Sequence, residues 1–264
     1  MEKKKIVTIG GGTGSHDVLL GIKNIENISI KAIVSMADDG GSTGILRQKY
    51  GVHSPGDVRQ CLAALSGRKF LSHKIVHGFL KGHKIGNILL AASEKLTGNF
   101  SRGLKIISWL LRAKGEIIPV TTDDPVLCAK IKNGTILIGE HEIDILEDPL
   151  EVTDIYYKSP VRLNPSARMA IQEADYVIIC PGSFYTSLAP NFIVEGFQEA
   201  FAGSAAKIIA VENLGKKEVE NYLSEVEKYL GKFVDDFISK DGFQNTERYN
   251  PLTIAEIIRK IIQT

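Results

Sequence analysis

The 264-residue chain is short of cysteine, with three, and of tryptophan, with one. It also lacks any excess of charge, since 32 Lys and Arg stand against 31 Asp and Glu. Each shortage excludes something. Cys61, Cys128 and Cys180 are scattered and odd in number, without paired metal-ligand spacing, and fit buried thiols of a reducing compartment. A formal net charge of +1 supplies no global field to recruit nucleic acid or an anionic membrane. No apolar run approaches the length of a bilayer span, and Lys3-Lys4-Lys5 leads into a short strand rather than a signal-peptide core. The expectation is a cytoplasmic protein with no nucleic-acid or membrane partner; a homo-oligomer stays open.

What is present is a globular composition, 44% hydrophobic and 24% charged, long enough for one large core or two modest ones. Lys5 to Ile9 reads as a strand and ends at Gly10-Gly11-Gly12-Thr13-Gly14-Ser15. Val18, Leu19, Ile22 and Ile25 then recur at helical spacing. Strand, glycine turn and helix open a doubly wound α/β fold, with a phosphate expected at the helix N-terminus. Ser15 stands where a dinucleotide fingerprint has its third glycine, and no acid closes the second strand at Val34-Ser35-Met36. No Gly-Lys-Ser/Thr follows either, so neither NAD nor ATP is specified.

The stretch Ala37 to Arg47 is the chemical centre of the sequence. Asp38 and Asp39 precede Gly40, Gly41, Ser42 and Thr43, and Arg47 follows. Glycines let main-chain N–H groups approach phosphate oxygens, and hydroxyls and arginine add donors. The paired carboxylates imply a bridging cation, a sugar hydroxyl or a proton to move; an ordinary solvated turn is the plain alternative. Next, Ser54 is placed as a helix cap, Pro55 at the first turn and Asp57 against the dipole, with Arg59 one turn further in.

From Lys69 to Arg112 the spacing predicts three helices, Phe70–Leu80, Ile85–Leu96 and Leu104–Leu111. His73 and His77 are four apart but lack a third ligand, and fit a helix surface. Asn87, behind Gly82 and Gly86, either caps a helix or presents its amide to a ligand. Asn133-Gly134 predicts a hairpin of Leu127–Ile131 with Thr135–Gly139. It lies within an excursion over about 121–150, whose Glu140, Glu142 and Asp144 read as an acidic solvated edge. Asn164-Pro165 opens a helix, and Tyr176–Cys180 is an apolar strand. That strand feeds Gly182, Ser183, Thr186 and Ser187, with Pro190-Asn191 before the next helix. There is no G-x-S-x-G elbow, and no histidine follows residue 141, so a serine hydrolase of that kind is not expected. Lys207–Val211 and Phe233–Ile238 complete the strands, and Glu218–Tyr229 and Thr253–Ile262 the helices. The chain reads as one α/β domain, residues 1–264.

Taken together, GGGTG at 10–14, DDGGSTG with Leu46-Arg47, PGDVR at 55–59, GHKIGN at 82–87, Asn164-Pro165, and PGSFYTS with Pro190-Asn191 resemble the YvcK-like gluconeogenesis-factor branch of the CofD superfamily over about residues 5–213. That resemblance implies a three-layer α/β/α Rossmann-like fold in a cytoplasmic bacterial protein. It implies binding of a nucleotide sugar such as UDP-N-acetylglucosamine, with a role in carbon metabolism and cell shape. The transferase branch of the superfamily moves a phospholactyl group from a nucleotide donor onto a deazaflavin, using magnesium. Ala37 stands where the regulator branch usually has Thr, and Leu214-Gly215-Lys216-Lys217 replaces that branch's Thr-Gln-x-Gly-Glu-Thr-like segment.

The site expected is therefore a nucleotide-sugar or dinucleotide site. Gly11 to Gly14 and Gly40 to Ser42 hold phosphates, Arg47 and Arg59 neutralise them, and Asp57 lies at the same helix start. Asn87, Asn164, Asn191 and the Gly182–Ser187 loop orient sugar or base. In the rival class, a magnesium-dependent transferase of a phosphorus-containing group, Asp38 and Asp39 hold the metal or take a proton.

Overall fold

In a computed structural model, residues 2–212, 216–238 and 250–263 are described. Leu214 and Gly215, the first half of the segment where the sequence departs from the regulator branch, lie outside them.

Strand β1 (Lys4–Gly10) is followed by α1 (Gly12–Ile22), β2 (Ile28–Val34), α2 (Gly41–Tyr50) and α3 (Gly56–Ser66). Next come α4 (Ile85–Thr97), α5 (Phe100–Leu110) and β3 (Glu116–Pro119). The excursion holds β4 (Leu127–Ile131), β5 (Ile136–Ile138), the short α6 (Glu140–Asp144) and β6 (Val152–Tyr157). The chain then returns through α7 (Pro165–Gln172), β7 (Tyr176–Ile179), α8 (Ala189–Phe192), α9 (Phe197–Ala202) and β8 (Lys207–Val211). It ends with α10 (Lys216–Leu230), β9 (Asp236–Ile238) and α11 (Pro251–Gln263).

Six strands form one sheet in the order β3-β2-β1-β7-β8-β9. Every pairing is parallel, as in Lys4↔Ile28 to Gly10↔Val34 and Ile6↔Tyr176 to Ile9↔Ile179. A parallel sheet covered on both faces needs strands apolar on both faces. Ile6 and Ile9 of β1 and Val177, Ile178 and Ile179 of β7 are indeed fully buried. Helices α1, α3 and α11 pack together, and α7, α9 and α10 pack in a second group, which completes the α/β/α layers. The strand order reverses between β1 and β7, where α/β sheets bind ligands beyond the strand ends.

The Asn133-Gly134 hairpin forms as its sequence predicts, with Cys128↔Ile138 to Lys130↔Ile136 antiparallel. A third strand not expected from the sequence, β6, pairs with β4 to complete a separate three-stranded sheet with a small core of its own around Ala129, Ile143 and Ile155. The expected helix over Phe70–Leu80 is absent. Lys69–Ser72 makes one 3-10 turn, and residues 73–85 fold as a hairpin in which Lys74 bridges Lys84 and the Ile75 N–H donates to the His83 carbonyl. Gly78 and Gly82 both have positive φ, 76° and 89°, which ends any helix. The sequence also left α2 unread, taking its residues as part of the glycine loop. The acidic glycine stretch is a loop only to Gly40, and α2 begins at Gly41.

Candidate functional site

Four helices aim their N-termini at one cleft of about 570 Å3 beyond the ends of β1, β2 and β7. It is lined by Gly12 of α1, by Gly41, Ser42 and Thr43 of α2, by Gly56, Asp57 and Arg59 of α3, and by Lys84 and Asn87 at the start of α4. In none of these four helices does the N-cap residue's own side chain cap the helix. Among helices that start elsewhere, α5 and α7 are capped by Asn99 and Asn164, whereas α9 begins at Gly196 without a side-chain cap. An uncapped N-terminus leaves donors and a positive dipole end for a ligand. Thr186 and Ser187 close the β7 side, and Glu140, His141 and Asp144 of α6 face inward from the small sheet. A larger hollow, about 850 Å3, lies beside α5 and β3, but it gathers only Lys105, Trp109, Glu116 and their neighbours, without any glycine loop.

Asp38 sits on the cleft wall, its Oδ2 accepting from Thr43 Oγ1 at 2.8 Å and its Oδ1 from the Gly40 N–H at 3.0 Å. Gly56 makes that seat: a Cβ there would stand 1.8 Å from Asp38 Oδ2. Asp57 accepts from the Gly12 N–H, so α3 reaches back to the first glycine loop. Burial pushes the Asp57 carboxyl up to about 7, and the neighbouring Asp38 adds to the shift. Asp38 is raised as well, chiefly by burial. Glu140 is pushed up to about 8 by burial and then by Asp38 and Asp57. Opposite the acids, Arg59 is 2% exposed; its Nη1 donates to Ser72 Oγ at 2.8 Å, while its Nε finds no acceptor. Asn87 donates to Ser42 Oγ at 3.1 Å and leaves its own Oδ1 without a donor. A buried polar atom left unpaired costs about 1–3 kcal/mol. Two such atoms in one cleft wall suit a ligand that pairs them.

The structure brings Gly12, Asp38, Gly40, Gly41, Ser42, Asp57, Arg59, Asn87, Thr186 and Ser187 to this cleft, as the sequence suggested. Others of the expected set work beside it. Asp39 accepts from the His141 N–H at 2.9 Å and so ties α6 to the β2 loop instead of facing the cleft. Arg47 donates to the Asp38 and Pro125 carbonyls at 3.1 and 2.8 Å and pairs with Asp124 at 2.7 Å. It braces the loop and, unlike Arg59, does not line the cleft. Asn164 caps α7 through the Ser166 N–H, and Asn191 is fully buried with its amide on Ser187 and Leu188 carbonyls. Gly11 precedes α1 with its Cα against the Asp57 carboxylate, and Gly14 packs on Pro181. Thr13 and Ser183 are exposed beside the cleft, and the Gly182 N–H donates to Glu212 at 3.0 Å.

Sequence reasoning missed Lys74, which it read within a helix, Lys81 and Lys84, which it left beside the Gly82 hinge, and Glu140, which it left on a solvated edge. Only Gly139, with φ 106° immediately before α6, marks the bend that turns Glu140 inward, and a lone glycine is a weak signal. His73 and His77 fall on the hairpin and not on a helix face. Among the described residues no three His, Cys, Asp or Glu side chains are grouped to hold a metal alone.

Fold and cleft together define a doubly wound α/β protein whose topological switch point holds a polar cleft at several helix N-termini. The chain belongs to the CofD family: the model of 2-phospho-L-lactate transferase CofD matches residues 6–254. It is 38% identical over 220 residues to the gluconeogenesis factor of Halalkalibacterium halodurans, covering 81% of this chain and 68% of that one. To the gluconeogenesis factor of Listeria innocua it is 33% identical over 269 residues, covering 97% and 83%. The crystal structure of a UPF0052-family protein from Bacillus halodurans superposes with a TM-score of 0.81 at 34% identity, covering 90% of this chain and 81% of that one. The chain spans about half the length of some curated relatives, 47% of one from Nostoc sp. and 55% of one from Clostridium acetobutylicum. Among the described residues no helix is long and apolar enough to cross a membrane.

Proposed function

We propose that the cleft binds the diphosphate of a nucleotide-linked ligand, a nucleotide sugar such as UDP-N-acetylglucosamine or a dinucleotide. We propose too that the protein is a cytoplasmic regulator linked to carbon metabolism and cell shape. The observation that carries the ligand reading is the convergence of four helix N-termini beside Arg59, none capped by its own N-cap residue. Asn87 Oδ1 and the Thr186 hydroxyl are suited to sugar or base groups, and Arg59 Nε to a phosphate oxygen. The link to carbon metabolism rests on relatives named gluconeogenesis factors.

Magnesium fits next to such a diphosphate. Asp38 and Asp57 are hard oxygen donors crowded in a half-buried wall, and a cation there would take its other oxygens from phosphate and water. Bound, it would neutralise phosphate charge and polarise a phosphoryl group. This acid pair is what favours the second reading, a transferase of a phosphorus-containing group, with Glu140 placed to hold a proton across the cleft.

Titration calorimetry with UDP-N-acetylglucosamine, NAD and GDP, with magnesium and with chelator, tests both. A nucleotide is expected to bind and free N-acetylglucosamine is not, and Arg59→Ala is expected to lose about 2–5 kcal/mol of affinity. Asp38→Asn is expected to abolish any magnesium dependence. Equal binding of the free sugar, or an unchanged Arg59→Ala, overturns the phosphate site. Turnover that stops in Asp57→Asn while nucleotide binding persists selects the transferase.

A further inference from the structure

Charge in this near-neutral chain is unevenly placed. Between residues 40 and 93 there are eight Lys and Arg and a single carboxylate, Asp57, which is committed to the cleft. This segment builds α2, α3, the 73–85 hairpin and most of α4; of its cations, Arg47 is paired with Asp124 and Arg59, Lys74, Lys81 and Lys84 line the cleft. On the far side of the hairpin from its cleft-lining lysines lies an apolar groove of about 240 Å3. Leu46 and Tyr50 of α2, Phe79 and Leu80 of the hairpin tip, and Ile88 and Ala91 of α4 form its walls. Phe79 is 84% exposed, a large apolar ring held out by a hairpin with two positive-φ glycines. The rim is cationic. Lys95 lines it, and the Lys49 ammonium stands 5.5 Å from the centroid of the Tyr50 ring. The only acid of α4, Glu94, is turned away and paired with His53 at 2.6 Å, so it does not offset this charge.

From this apolar trough and its one-signed rim we infer that the groove formed by α2, the hairpin tip and α4 is a docking site for an amphipathic helix of a partner protein, apolar on one face and acidic on its flanks. Two aromatic walls and aliphatic floor residues suit bulky side chains spaced i and i+3 or i+4, as helices laid in grooves use. The lysines on the rim select acidic flanks and repel basic ones. A lipid surface is less suited, because Phe79 forms the wall of a concave trough shared with Tyr50 and Ile88 and does not stand alone as a wedge. The inference does not depend on what the cleft binds.

The test is selection of phage-displayed random 16-residue peptides on the full chain. Three variants that leave the cleft lining intact serve as counter-targets: Phe79→Ser, Lys49→Glu and Lys95→Glu. Phe79 is exposed, so its replacement should not disturb folding, and circular dichroism checks this. Enriched peptides are expected to carry paired apolar residues at helical spacing and net negative charge. Their affinity, read by fluorescence anisotropy of labelled copies, should fall at least about tenfold in Phe79→Ser, and likewise in Lys49→Glu with Lys95→Glu, a change of about 1.4 kcal/mol. Peptides with no negative bias, or binding indifferent to Phe79, would overturn the proposal. Phe79-dependent binding to phosphatidylglycerol vesicles without any peptide enrichment would overturn it too, by making a membrane the occupant.

Discussion

A carboxyl raised by its surroundings stores a preference for its proton, and Asp57 does so at the join of α3 and the first glycine loop. Its folded value of about 7 lies above the ordinary 3.8, so the folded chain keeps a proton that the unfolded chain has lost. The stability this confers is complete below 3.8 and is lost as pH rises through about 7. Asparagine mimics the protonated form and keeps an acceptor for the Gly12 N–H. Asp57→Asn is therefore expected to be more stable than the parent at pH 8, by about 1–3 kcal/mol, with the gap closing toward pH 4. Urea unfolding at the two pH values reads this directly. A variant less stable at pH 8 would mean that the charged carboxylate is well paired. On the proposed magnesium reading the residue would set function against stability, because the crowding that disfavours its charge would also suit a cation. The sequence placed Asp57 against the dipole of its own helix and in the expected site, but gave no sign of its bond to the first glycine loop. Its contact with Gly12, 45 residues earlier, depends on two strands lying side by side, which no local pattern encodes.

Between residue and fold, single elements are tied down by cations. His53 follows α2 and places Nδ1 2.6 Å from Glu94 Oε1 and Nε2 2.9 Å from the Thr122 carbonyl. Both partners are acceptors, so both ring nitrogens are donors, and the imidazolium is favoured. Its pKa is raised, first by the Glu94 bond. Together with Arg47 on Asp124, this clasp holds the β3–β4 connection against α2 and α4. The sign follows from the raised value: the contribution is full below the ordinary 6.5 and lost as pH climbs through the folded pKa. Glu94→Gln is expected to cost about 1–3 kcal/mol at pH 6, as for a charged hydrogen bond, and much less at pH 9. Thermal unfolding across that range checks it, and a pH-independent loss would make the pair a simple packing contact. Elements whose identity rests on continuous patterns, such as α4, the Asn-Gly hairpin and the apolar strand β7, were legible in the sequence. The 73–85 hairpin was not. Phe70, Leu71, Ile75, Val76, Phe79 and Leu80 fall near helical spacing, yet Gly78 and Gly82 and the pairing of Ile75 with His83 decide for the hairpin.

At the scale of the whole molecule, the cleft belongs to both halves of the sheet. Gly12, Asp38 and Asp57 come from the β1–β2 side, and Thr186 and Ser187 from the loop beyond β7. The halves meet where α1 crosses that loop, and Gly14 is the point of closest approach: a Cβ there would stand 1.8 Å from the Pro181 carbonyl oxygen. Backbone, not a flexible side chain, blocks the way, so one half must move. Helix propensity alone makes Gly→Ala stabilising by about 1 kcal/mol within a helix. Overpacking opposes it at about 1–3 kcal/mol. Gly14→Ala is therefore expected to lower stability on balance. It should also weaken whatever ligand the cleft takes, although Gly14 does not line it, because the α1 N-terminus and the Thr186–Ser187 wall would no longer face each other in register. Denaturant unfolding and ligand titration on the same variant separate the two effects. A Gly14→Ala chain that gained stability, as the propensity of an isolated helix requires, would show that the two strand-end loops are not locked together, and the cleft would then have to be built from one half alone.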